Sequence, residues 1–226
     1  MFYKLIERKR DEWLKSGGCT VGNLTRYIEE KGKLRDAQIE AVKTYLFLKI
    51  KCKNKPLWQL FSSGMFNSVD LSETELTQKA RSFMEKNPAA QALYEYSLLK
   101  DRNGKQIAPE LEKEIRFRPE SIDYESVFKN LFYNVSYTDY IFSLPMGAGK
   151  TFLMSAIIYL NLYFALKDPD AKEFAHNFLI LAPSGLKSSI VPSLKHIVEF
   201  DPTWVIPDPA ASQIKRIISF EVLDES

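Results

Sequence analysis

Tyr140-Ile141-Phe142-Ser143-Leu144-Pro145-Met146-Gly147-Ala148-Gly149-Lys150-Thr151 is the stretch on which the reading of this chain turns. Tyr140 to Leu144 reads as a short buried strand. It runs into a loop with two glycines, and Phe152 to Leu166 follows as an apolar run broken only by Ser155 and Asn161, which reads as a buried helix. A bare Gly-Lys-Thr recurs by chance. Strand, glycine loop and helix in that order are the context in which it carries meaning as a Walker A phosphate loop.

The chemistry behind that motif is anion binding. A triphosphate presents several negative charges that must be met without bulky side chains in the way, and glycines let successive backbone N–H groups turn toward the oxygens. Gly147 and Gly149 supply that freedom, with Met146 and Ala148 completing the loop. Lys150 reaches the β- and γ-phosphates as a point charge and the Thr151 hydroxyl holds Mg²⁺, while the helix that follows aims the positive end of its dipole at the anion. ATP and Mg²⁺ are the implied ligands. The bland alternative is an ordinary strand-to-helix turn with Lys150 as a solvated charge.

Downstream, Asn177 to Ala182 reads as a second strand, Pro183-Ser184-Gly185 as a turn, and the residues up to about Phe200 as a helix carrying Ile190, Leu194 and Ile197. Two successive strand-to-helix units predict an α/β fold with a parallel sheet. Trp204 to Ile206 and Ile217 to Leu223 are two further candidate strands.

Upstream, the pattern is helical. Apolar positions at Phe2, Leu5, Ile6, Trp13 and Leu14 predict an amphipathic helix stopped by Gly17 and Gly18, and a second short helix runs from Asn23 to Lys31. Ile39, Val42, Tyr45, Leu46 and Ile50 recur at helical spacing up to the break at Lys51 to Pro56. Between Pro56 and Ser136 no strand alternation occurs. Ser72 with Glu75 reads as a capping box, Pro88 as a first helical residue, and Val127, Phe128, Leu131 and Phe132 as one helix face. The resulting division is an N-terminal helical segment at 1–33, a helix at 34–55, a helical insertion at 56–136 and a phosphate-loop core at 137–226.

Composition narrows the function classes. A net charge of +2 from 31 basic and 29 acidic residues lacks the field of a dedicated nucleic-acid-binding module, so any such contact is local. Two cysteines and two histidines exclude a dense disulfide framework or a Cys/His zinc site. No run of apolar residues is long enough for a membrane span, and a reducing cytoplasm is the expected compartment. The insertion is rich in aromatics, among them Tyr94, Tyr96, Phe117, Tyr124, Phe128, Phe132, Tyr133 and Tyr137. Base stacking is one use for them and core packing another.

Three places together resemble the first motor domain of superfamily 2 helicases. Met146 to Thr151 is similar to motif I, with Leu144 standing where that motif has a small residue. Leu34-Arg35-Asp36-Ala37-Gln38 resembles the upstream segment that ends in a glutamine, and Leu181-Ala182-Pro183-Ser184-Gly185-Leu186 is similar to motif Ia. The resemblance implies an incomplete RecA-like sheet. It also implies that Gln38 hydrogen-bonds adenine through its amide, and that Ser184 and Lys187 touch the nucleic-acid backbone. The plainer readings are an exposed helix-start glutamine, a helix-capping serine and a solvated lysine.

Gln38 lies much farther upstream of Lys150 than is usual in compact helicases, and a helical insertion reconciles the distance. Large accessory helices suit the restriction-enzyme branch, with the restriction subunit of type III systems as the nearest likeness. The function so implied is ATP-dependent translocation or unwinding of double- or single-stranded DNA, alongside a methyltransferase or specificity subunit. Hydrolysis in that superfamily also needs an Asp-Glu pair, for which Asp224-Glu225 is the available candidate, and a second motor domain. The expectation is therefore a fragment that binds nucleotide weakly and does not turn it over unaided. A small-molecule kinase or transferase and a non-enzymatic nucleotide-binding adaptor remain the alternatives.

Overall fold

The computed structural model of the chain describes residues 2–181 and 195–221. Among them the secondary structure is helical. The α-helices are α1 (Tyr3–Lys15), α2 (Gly22–Glu30), α3 (Asp36–Leu46), α4 (Leu57–Ser62), α5 (Gln78–Lys86), α6 (Pro88–Ser97), α7 (Pro109–Phe117), α8 (Tyr124–Leu131), α9 (Lys150–Lys167) and α10 (Ala210–Ile217). A π-helical turn over Phe47–Lys51 prolongs α3, and short 3-10 turns cover Leu71–Glu73, Pro119–Ser121 and Pro202–Trp204. Residues 195–198 are also helical.

The expected α/β architecture, a RecA-like parallel sheet, is overturned. Among the described residues no strand forms, and the only pairing of that kind is an isolated antiparallel bridge between Lys100 and Gln106. The reason lies in partners. An apolar run becomes a strand only when a neighbouring backbone completes its ladder. Residues 141–144 and 177–181 make no backbone hydrogen bond to one another or to any other described residue. Their side chains are correspondingly exposed, with Ile141 at 90%, Leu179 at 77% and Leu181 at 84%. Among the described residues the two later candidate strands do not form either. Asp201 Oδ1 accepts from the Thr203 amide at 3.0 Å and its hydroxyl at 2.6 Å, winding Pro202–Trp204 into a 3-10 turn, and Ile217 closes α10.

The chain divides into two compact units. The first comprises Met1–Asp11 and Asn54–Ile141. Three of its helices, α5, α6 and α8, begin on side-chain caps: Thr77 accepts from the Ala80 amide at 3.2 Å, Asn87 from Ala90 at 3.1 Å with Pro88 next in line, and Asp123 from Ser126 at 3.1 Å. Each such cap contributes about 1 kcal/mol. The expected box at Ser72 and Glu75 does not form, because Asp70 takes both the amide and the hydroxyl of Ser72. The core is aromatic. Phe61 packs against Phe2, Phe66, Phe128 and Phe132, while Leu93 and Ile115 are fully enclosed. Beside it, the buried Glu95 carboxylate accepts from the Arg8 guanidinium, from Ser68 N at 2.9 Å and from Ser68 Oγ at 2.8 Å.

The second unit comprises Glu12–Lys53 and Phe142–Ser226. Its axis is α9, which is apolar around most of its circumference and packs against α3 on one side and α10 on another. Tyr159, Leu160 and Ala156 are fully buried there, and burying side chains of the larger size contributes about 1.5–3 kcal/mol each. The one buried amide in the helix is satisfied. Asn161 Nδ2 donates to Tyr45 Oη at 2.5 Å and to the Ile157 carbonyl at 2.8 Å, and its oxygen accepts from Ala175 N at 3.3 Å. Burial pushes the Tyr45 phenol up to about 12, so it stays a neutral partner. Among the described residues no helix is long and apolar enough to cross a membrane.

Candidate functional site

The glycine loop adopts the backbone that its sequence permits. Gly147 and Gly149 have φ of +78° and +77°, a left-handed conformation that costs a residue with a side chain about 1–2 kcal/mol. Between them the Ala148 amide donates to the Pro145 carbonyl at 3.2 Å, closing a tight turn. Gly149 is then the N-cap of α9.

That junction leaves donors free. The first intrahelical bond runs from Leu153 N to the Gly149 carbonyl at 3.1 Å, so the N–H groups of Gly149, Lys150, Thr151 and Phe152 precede the helical ladder. No acceptor among the described residues takes them. The first turn of α9 carries no acidic side chain, so nothing of the helix's own opposes an anion there. Lys150 is exposed and lays its ammonium back over the loop, 3.3 Å from the Pro145 carbonyl. A Cβ built on Gly147 would meet nothing within 4 Å, and Met146 is 98% exposed, so the mouth of the loop is open.

The loop is held from behind by the start of α3. Arg35 Nη1 donates to the Gly147 carbonyl at 2.6 Å, and Gln38 Nε2 donates to the Gly149 carbonyl at 2.8 Å. Gln38 Oε1 meanwhile accepts from Arg35 N at 2.8 Å, the N3-to-N-cap half of a capping box. Residues 112 positions apart in sequence therefore meet at one turn. Gly149 suits its place by its φ, and a Cβ there would also lie 2.6 Å from Gln38 Nε2, so the Gln38 amide would have to shift.

The site residues expected from sequence divide as follows. Gln38, Gly147, Ala148, Gly149, Lys150 and Thr151 come together, with Met146 at the exposed rim. Gln38 is 3% exposed and spends one donor and one acceptor on Gly149 and Arg35, which ties the residue expected to read adenine to the loop itself. Ser184, Lys187, Asp224 and Glu225 lie outside the described residues. Arg35 was not singled out as a site residue. Its position three residues before a glutamine at a helix start was the available signal, but nothing in the spacing said that its side chain would reach the loop. Phe152 was missed too. It stacks on Trp204 with ring centroids 5.4 Å apart, and its ring lies 3.6 Å from the Cβ position of Gly149.

A cleft of ≈620 Å³ runs along α9, lined by Phe142, Leu144, Leu153, Ile157 and Leu181 with Lys150 at one end. Its walls are mainly apolar and offer phosphate little, so the anion chemistry belongs to the amide-bearing end of the helix. Leu144, which occupies the place of a small residue in the helicase motif, is part of that wall. The aromatics of 94–137 divide between core and surface: Tyr94, Tyr124 and Phe128 are buried, whereas Phe117, Tyr133 and Tyr137 are exposed at 65%, 88% and 68%.

No family profile, no characterised protein and no solved structure matches this chain.

Proposed function

We propose that this chain binds a nucleoside triphosphate, ATP with Mg²⁺, at the mouth of α9, and that it serves as the ATP-binding part of a DNA helicase or translocase, the motor of a restriction-modification system. One observation carries the reading. The two motifs that resemble helicase elements, far apart in sequence, meet as one site, with Arg35 and Gln38 holding the carbonyls of the two left-handed glycines.

The roles follow from that arrangement. The amides of Gly149 to Phe152 hydrogen-bond phosphate oxygens, the helix dipole adds about 0.3–1 kcal/mol of attraction, and Lys150 swings from the Pro145 carbonyl onto the β- and γ-phosphates. The donor set fits a polyanion. No group of three or more His, Cys, Asp or Glu side chains able to hold a metal occurs among the described residues, so Mg²⁺ would arrive with the nucleotide. Phosphate oxygens, water and the Thr151 hydroxyl are a sufficient shell for an ion that keeps much of its hydration. The function assigned to this chain is therefore binding. DNA contact through Ser184 and Lys187, and work with a methyltransferase or specificity subunit, rest on the resemblance alone.

The test is ligand-dependent stability. With Mg-ATP at a hundredfold excess over Kd, the second unit is expected to gain about 2.7 kcal/mol, seen as a higher melting temperature. Unchanged melting in saturating ATP, ADP and pyrophosphate alike would sink the proposal.

A further inference from the structure

We infer that Arg35 is a positioning residue for the phosphate loop. The inference rests on the nucleotide-binding reading above and names what sets that site's shape. A peptide unit carries its carbonyl and the next residue's N–H on opposite sides, so pinning a carbonyl fixes where the following amide points. Gln38 pins the Gly149 carbonyl, which also accepts from Leu153, so the Lys150 N–H faces out of the helix mouth. Arg35 does the same two peptide groups earlier in the turn: with the Gly147 carbonyl drawn to its guanidinium, Ala148 N is held toward the Pro145 carbonyl. The turn that presents the free amides is thus clamped at both of its glycines.

Three features set Arg35 apart from ordinary structural ties. Its side chain is exposed and its guanidinium reaches across the surface to the Gly147 carbonyl, so it belongs to no core. Glycine at 147 leaves that turn with no side-chain packing of its own, since nothing lies within 4 Å of its Cβ position. A charge-assisted bond to a carbonyl is therefore the main restraint on a backbone segment that would otherwise sample many states. Without it the loop must be ordered by the ligand, and ligand affinity falls by the cost of that ordering.

The test compares dissociation constants for Mg-ADP and Mg-ATP in the wild type, Arg35→Ala and Arg35→Lys, together with urea unfolding of each. Arg35→Ala is expected to weaken both nucleotides by the same factor, about tenfold for a solvent-exposed bond to a charged donor, while the unfolding midpoint stays in place. Arg35→Lys, which can still donate to the carbonyl, recovers part of the loss, as does guanidinium ion added to the alanine variant at non-denaturing millimolar concentration. Equal affinity in wild type and Arg35→Ala overturns the inference. So does a loss confined to ATP, which would make Arg35 a direct ligand of the terminal phosphate, or an unfolding midpoint that falls together with affinity and is not rescued. Failure of the wild type to bind either nucleotide is a different result: it removes the nucleotide reading, and the role of Arg35 with it.

Discussion

Replacing Lys150 with alanine is expected to weaken Mg-ATP by more than a hundredfold and to erase ATP-dependent thermal stabilisation. Hydrogen bonds to charged groups contribute about 1.5–3 kcal/mol each, and the ammonium can make more than one to a phosphate chain at the helix mouth. The fold has little stake in this side chain. It is exposed, and its one contact of note is a 3.3 Å bond to the Pro145 carbonyl, so the urea midpoint of the ligand-free variant is expected to match the wild type. Retained affinity in the alanine variant would show that the ammonium is a solvated surface charge and that the loop is a turn and nothing more. Titration calorimetry with Mg-ATP, run beside urea unfolding, separates the two effects.

The second large effect concerns the other unit. Glu95 is 4% exposed and gathers Arg8, Ser68 N, Ser68 Oγ and Val69 N around its carboxylate. Removing the carboxylate strands several donors in a low-dielectric setting, so Glu95→Ala is expected to cost about 3 kcal/mol. That is the low end for a buried pair, because the Arg8 side chain is 42% exposed and can rehydrate. For the same reason Arg8→Ala should cost less: the carboxylate keeps both Ser68 donors. Equilibrium urea unfolding followed by Phe and Tyr absorbance checks the order. Equal and small losses in the two variants would mean that this network contributes little to the unit's stability.

The helices were legible because their signals are local. Apolar spacing in residues 2–15, 39–50 and 124–132 marks a face whatever the rest of the chain does, and Pro88 announces a helix start because its missing N–H is needed by no partner there. The loop was legible as well, since only glycine takes a left-handed φ cheaply at 147 and 149. Strands were not. Tyr140 to Leu144 and Asn177 to Ala182 have the composition of buried strands, but a strand is a relation between two backbones and the sequence of one says nothing of the other. In the structure these residues are left with Ile141, Leu179 and Leu181 largely in solvent.

Competition among short polar side chains was also hidden. Ser72 and Glu75 have the spacing of a capping box, yet Asp70, two residues earlier, is an ionised acceptor and takes the Ser72 donors first. Gln38 was identified as a residue of interest by its amide, which suits any partner offering both a donor and an acceptor. A purine edge is one such partner. The Arg35 amide and the Gly149 carbonyl are another, and they are present in the chain itself.

Amide hydrogen exchange at Gly149, Lys150, Thr151 and Phe152, with and without saturating Mg-ATP, tests the central claim most directly. These N–H groups have no acceptor among the described residues, so in the free protein they should exchange rapidly. On binding, all four should slow markedly as phosphate oxygens take them up, while Ala148, already bonded to Pro145, changes less. Nucleotide that binds and leaves those four amides exchanging at their free rates would contradict the account, because the anion would then sit somewhere other than the mouth of α9.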